Sequence, residues 1–163
     1  MIHYLEHPSP LGTLLLAATE RGVAGIYYEQ HSHFAGRDGW QAAPQHALLL
    51  QTAHQLDEYF AGQRREFDVP LDPDGTPFQQ EVWLGLRQIA WGETRDYGQL
   101  ATAIARPRAV RAVGAANARN PLSIIVPCHR VIGKSGDLVG YAGGLDRKRF
   151  LLELEQSLPP LLI

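Results

Sequence analysis

The stretch Ile124-Ile125-Val126-Pro127-Cys128-His129-Arg130-Val131-Ile132 constrains the chain more than any other. An Ile-Ile-Val run suits a buried strand, so a core must gather around it. Pro127 has no N–H to offer a ladder, so pairing should stop just before the thiol. Cys128, the only cysteine of 163 residues, would then lie at the mouth of that core. Two readings stay open for it. Free cysteine is among the most buried residue types and can serve as simple packing. Beside a histidine it can also serve as a nucleophile.

With 45% apolar residues the chain can bury one ordinary core or two small ones. A single cysteine excludes an internal disulfide framework. The apolar run Leu14 to Ala18 lacks a basic leader and a small-residue cleavage site, and falls far short of the roughly 20 residues that span a bilayer. An intracellular, cytoplasmic protein without a membrane segment is therefore expected. Net charge is −2, yet residues 1–86 carry four basic and eleven acidic side chains, whereas residues 87–149 carry eleven basic and four acidic. From Tyr97 to Lys134 six basic residues (Arg106, Arg108, Arg111, Arg119, Arg130, Lys134) occur with no acid. Such a one-sign stretch fits a polyanion partner or a solvated positive face.

Along the chain, Ile2–Leu5, Leu11–Ala18 and Val23–Tyr28 read as strands of an antiparallel meander, with turns at Pro8 to Gly12 and Glu20 to Gly22. Residues 29–43 show no periodicity and are expected to be a loop; His31 and His33 lack Cys or carboxylate support, so no metal is expected. Pro44 to Phe60 has helical spacing, with Pro44 in the first turn, and covers the sheet. Glu66–Leu71 can add a strand. The cluster Asp72-Pro73-Asp74-Gly75 divides a domain at 1–75 from one at 76–163.

Thr76-Pro77-Phe78-Gln79 and Asp96-Tyr97-Gly98-Gln99 each place a capping residue three positions before Gln, which predicts two helix starts. Trp83 and Trp91 read as core packing, although Trp83 is also a candidate for the substrate pocket. A further helix, Pro107 to about Ala118, is rich in alanine and flanked by arginines. Two short helices and a tight turn resemble a helix-turn-helix. Ala109, Ala112, Ala115 and Ala116 would let it approach DNA closely but cannot read base edges, which favours the minor groove over the major; close packing in a core is the other reading. Gly133 to Gly136 forms a turn. Leu138 to Gly144 is a glycine-rich loop where backbone can approach a ligand, without the spacing of a phosphate loop. Asp146 should cap a last helix burying Phe150, Leu151, Leu154 and Leu158, ended by Pro159-Pro160, with Glu155 at the edge of that face.

Taken together, Pro127-Cys128-His129-Arg130-Val131, Val110-Arg111-Ala112-Val113-Gly114, Asn120-Pro121, Tyr97 within Asp-Tyr-Gly-Gln-Leu-Ala, and Gly140-Tyr141-Ala142-Gly143-Gly144-Leu145 closely resemble the O6-alkylguanine-DNA alkyltransferases. The resemblance covers residues 76–158 motif by motif and residues 1–75 only in layout. It implies an α+β fold of two domains: an N-terminal ribonuclease H-like sheet with a helix, and a C-terminal helical domain with a helix-turn-helix of winged-helix type. It also implies irreversible, single-turnover transfer of an alkyl group from O6 of guanine in DNA, and from O4-alkylthymine, onto Cys128.

The same resemblance assigns roles. Cys128, a water, His129 and Glu155 form a relay; Tyr97 donates near guanine N3; Asn120 braces the turn around the thiol. Backbone groups of Cys128 and Val131 read the guanine edge, the Ala142 amide reaches O6, and Tyr141 walls the pocket. Arg111 occupies the space of the flipped base, Ala112 enters the minor groove, and Arg106, Arg108, Arg119 and Arg130 meet phosphates. No cofactor and no metal are implied; the partner is double-stranded DNA, and the protein is monomeric off DNA. The competing readings are an alkyltransferase-like lesion binder, which lacks the cysteine, a helix-turn-helix regulator, and a Cys-His hydrolase.

Overall fold

The computed structural model describes residues 1–156. The chain divides into two compact units, Met1–Asp74 joined by Pro121–Ile125, and Gly75–Asn120 joined by the chain from Val126 on. The expected second domain, 76–163, is thus interrupted where five residues belong to the first unit.

In the first unit, strands β1 (His3–His7), β2 (Leu14–Ala18), β3 (Val23–Tyr27) and β4 (Gln41–Ala42) form one sheet in the order β3-β2-β1-β4. β1 to β3 are the antiparallel meander expected from the turn signals between strand-like runs, while β4 pairs parallel to β1 inside the stretch expected as a loop. Two residues carry no period to read. Register sets Leu5 opposite Leu16 and Leu16 opposite Ile26, so one face presents apolar side chains to α1 (Ala47–Phe60), which buries Leu49, Leu56 and Tyr59. α1 starts three residues later than Pro44 because His46 caps it, its ring accepting from the Leu49 N–H at 3.4 Å. No strand forms over Glu66–Leu71; only Leu71 bridges Val23, and Gln55 ties down Asp68.

The Ile124-Ile125-Val126 run is buried but forms no strand. Ile26 N–H donates to Pro121 O at 2.8 Å and Leu122 bridges Ile26, after which Ile124 turns through φ 75°. A β-branched residue in the left-handed region is strained by about 1–3 kcal/mol, and burial on every side holds it there.

The second unit contains α2 (Pro77–Leu86), α3 (Tyr97–Ala103), α4 (Val110–Ala118) and α5 (Leu145–Leu154), with a two-stranded parallel pair, β5 (Arg95–Asp96) and β6 (Val131–Ile132). Both predicted capping boxes form. α4 starts at Val110 rather than Pro107. Gly85 lets α2 meet Ile104 after α3, since a Cβ there would lie 2.5 Å from Ile104 Cγ2. α5 is capped by Gly144 at φ 90°, not by Asp146, which sits in the first turn. Its buried face is Lys148, Leu151 and Leu152, rotated from the expected Phe150, Leu151 and Leu154. Leu158 and Pro159-Pro160 lie outside the described residues. Among those described, no helix is long and apolar enough to cross a membrane.

Candidate active site

Cys128 opens a single 3-10 turn, Cys128–Arg130, and is 3% exposed. The extended strand expected to separate the Cys128 and His129 side chains is absent, because the chain arrives at Cys128 in a turn, with Cys128 N–H bonded to Val126 O. Asn120 Nδ2 donates to that same carbonyl at 2.8 Å, tying the chain just beyond α4 to the turn. Burial raises the Cys128 thiol to about 11, against the pull of Asn120 hydrogen bonding and of the Lys148 charge. Cys128 therefore rests as a neutral thiol.

His129 and Glu155 have fully buried side chains, and Nε2 lies 2.8 Å from Glu155 Oε2. Burial is the largest influence on Glu155 and pushes it up, but the charges and hydrogen bonds of His129 and Arg130 together outweigh it and bring the carboxyl down to about 2. An ionised carboxylate only accepts, so Nε2 carries the proton. Nδ1 is buried and makes no hydrogen bond with any of the described residues. Burial lowers the basicity of the ring, with Glu155 opposing and the Arg130 and Lys148 cations assisting. The arrangement is a neutral imidazole with one unused lone pair beside a neutral thiol.

Arg130 is not a phosphate contact. Its Nε and Nη2 hold the two Glu155 oxygens at 2.8 and 2.9 Å, and Nη1 donates to Ile89 O at 2.6 Å. Three of its five N–H groups are thus committed inside the unit, and only 7% of its surface is exposed, so it is turned away from where a phosphate contact was expected. Trp83 is likewise inside the unit, its indole N–H bonded to Ala116 O at 2.9 Å, so it packs the helices together.

The glycine-rich loop is held by a residue that sequence reasoning missed. Lys148 is fully buried, and its Nζ donates to Val131 O at 2.5 Å, Val139 O at 2.7 Å and Gly140 O at 3.2 Å. Burial lowers it to about 8. Its spacing with Leu151, Leu152 and Glu155 on one helix face was the available signal. One lone pair of the Val131 carbonyl is thereby occupied. Tyr97, first residue of α3, reaches Val139 O at 3.5 Å; burial, then the charge of Cys128, raises its hydroxyl, which stays protonated and able to donate. Tyr141 sets its ring edge-on to His129 at 6.5 Å, and Ala142 is half-buried.

On α4 the exposed positions are Val110, Arg111, Ala112 and Ala115, with Arg119 just beyond, while Val113 and Ala116 face inward. Arg108 is exposed as well; Arg106 is exposed but paired with Glu81 at 3.1 Å. The small-residue stripe is therefore a surface, with arginine at its start.

The family models of 6-O-methylguanine DNA methyltransferase match both parts of the chain, the ribonuclease-like domain at residues 2–73 and the DNA binding domain at residues 77–157. The methylated-DNA--protein-cysteine methyltransferase of Mycobacterium leprae is 49% identical over 156 residues, covering 96% of this chain and 93% of that protein. The protein of that name from Methanosarcina acetivorans is 47% identical over 157 residues, with coverage of 96% and 99%. The crystal structure of Mycobacterium tuberculosis OGT in complex with DNA superposes with a TM-score of 0.88 at 49% identity, over 95% of this chain and 93% of that one. A cysteine, histidine and glutamate set inside a two-unit α+β chain that matches both domains of one family has a plain reading: the chain belongs to the 6-O-methylguanine DNA methyltransferase family.

Proposed function

We propose that this chain repairs DNA by direct reversal, moving an alkyl group from O6 of guanine, or O4 of thymine, to Cys128 in one irreversible turnover. The observation that carries the reading is the single buried thiol beside His129, whose Nδ1 is unbonded while Nε2 is fixed on Glu155. Attack at an alkyl carbon suits a soft, polarizable sulfur, and the thiol must lose its proton as it attacks. The proton leaves Sγ for His129 Nδ1, through a water as the resemblance implies. The S–C bond forms, the C–O6 bond breaks, and the electron pair goes to O6 and into the ring. The proton then returns to the leaving guanine, so thiol plus alkylguanine becomes thioether plus guanine. Tyr97 donates to the ring where charge develops, and Asn120 keeps the thiol in place.

The base must leave the stack to be reached, at a few kcal/mol. Double-stranded DNA meets α4 through its minor groove, where Ala112 and Ala115 allow close approach and Arg111 fills the vacated space. Arg108, Arg119 and Arg106, the last after releasing Glu81, meet phosphates. Off DNA the protein is monomeric, and it acts in the cytoplasm, where reducing conditions keep a lone thiol reduced. Mixing the protein with a duplex containing O6-methylguanine and measuring intact mass tests this: one CH2 is expected on the peptide containing Cys128. Cys128→Ala should bind the lesion and gain nothing. Transfer surviving in that variant overturns the assignment, and lesion binding without any mass gain in the parent leaves a lesion binder.

A further inference from the structure

Arg130 is a permanent cation with a side chain only 8% exposed, and its polar contacts run to Glu155 and Ile89. Its fork takes both oxygens of Glu155, at 2.8 and 2.9 Å, and Glu155 Oε2 is also the atom that meets His129 Nε2 at 2.8 Å. Ile89 O fixes the third nitrogen at 2.6 Å. A bidentate guanidinium sets the plane and direction of a carboxylate, which a single donor cannot do.

Resting on the alkyl-transfer reading of Cys128, we infer that Arg130 is a positioning residue for the proton transfer: it clamps Glu155 in its ionised form, so that His129 keeps its proton on Nε2 and offers Nδ1 as the base. The charges facing His129 are Glu155 just past α5, Lys148 on α5 and Arg130 in its own turn; the neutral Tyr141 ring stands edge-on to it, and Tyr97 of α3 faces the neutral Cys128 thiol. In the resting site Arg130 and Glu155 cancel. Moving the thiol proton to Nδ1 creates a thiolate and an imidazolium together, leaving the total charge of the cluster unchanged. Without Arg130, the Glu155 charge would draw a proton onto His129 before the substrate arrives, occupying the atom that must accept.

Nitrogen-15 shifts of the His129 ring, assigned by their loss in His129→Gln, test the geometry without DNA. The unaltered protein is expected to show neutral imidazole with Nε2–H at pH 7 and a midpoint below the ordinary 6.5. An imidazolium or an Nδ1–H tautomer at pH 7 overturns the inference, whether or not Arg130 variants fold. In Arg130→Met the midpoint should rise and the acid limb of the single-turnover rate should move up with it. The rate on that limb falls about tenfold per unit moved. Arg130→Lys keeps the charge and should leave the limb near its parental place at a lower plateau. A midpoint and a limb that stay put in Arg130→Met make the role merely structural and overturn the inference. If no variant or parent transfers alkyl groups while the ring shifts are as expected, the functional reading fails and the clamp stands.

Discussion

The two units handle charge differently. In the first, ion pairs lie at the surface: Arg37 with Glu6 at 2.7 Å, side chains 46% and 52% exposed, and His7 with Asp57 at 2.7 Å. The second has surface pairs too, but among the described residues it also holds all the buried charged side chains, Arg130, Lys148 and Glu155. Exposed pairs exchange solvation for an equal attraction and contribute about 0–1 kcal/mol. Buried ones trade large terms, and removing one partner strands the other. Apolar replacements would hold the fold as well or better, so the cluster marks where position matters more than stability.

The largest test of that contrast is Glu155→Ala, which leaves Arg130 as an unpaired buried cation and should destabilise the protein by about 3–5 kcal/mol in urea unfolding. A loss under 1 kcal/mol would mean water reaches the cluster. An exposed arginine of the same unit sharpens it next. Arg111→Ala, at an exposed position, should leave stability alone yet slow transfer from duplex DNA between about tenfold and a thousandfold, because the unstacking of a few kcal/mol is no longer offset. Transfer from free O6-benzylguanine, if the parent accepts it, should hardly change; equal slowing on both would place Arg111 in the chemical step or the fold.

Acid provides a third test. Glu155 sits near 2 in the folded protein against an ordinary 4.5, so its stabilisation is complete above about pH 4.5 and is lost as pH falls toward 2. Linkage of this size is worth on the order of 3 kcal/mol, and Glu155→Gln should remove that part of the acid sensitivity. The smallest effect expected is in the first unit: Asp57→Ala, which breaks the exposed pair with His7, should shift stability by under about 1 kcal/mol. A larger shift there would erase the contrast between the units.

What the sequence made legible was local. The capping boxes at Thr76 and Asp96 form because a cap and its Gln are three residues apart and need no tertiary help. The meander follows from the turn clusters at Pro8 to Gly12 and Glu20 to Gly22 between strand-like runs. The Ile124 run was misread because three apolar residues say only that they are buried, and a turn through φ 75° is imposed by what surrounds Ile124. Arg130 reads in sequence as a surface cation since most arginines are; its partner Glu155 is 25 residues away and no spacing rule joins them. Lys148 was overlooked for the same reason, although its place on the face of Leu151 was readable. Glu155 itself came from family resemblance, its position along the helix having suggested solvent.

The passage of Pro121–Ile125 through the first unit bears on how the molecule matures. A ribosome releases the N-terminal part first, and domains generally fold as they emerge, so the β3 edge can stand ready before Cys128 exists. Pro121 and Leu122 then dock on Ile26, a partner roughly a hundred residues upstream, which makes the turn at the thiol a late, non-local closure. A half-made chain has no seated nucleophile. For a protein whose cysteine can be spent only once, that order of assembly withholds the reagent until the scaffold that aims it is complete.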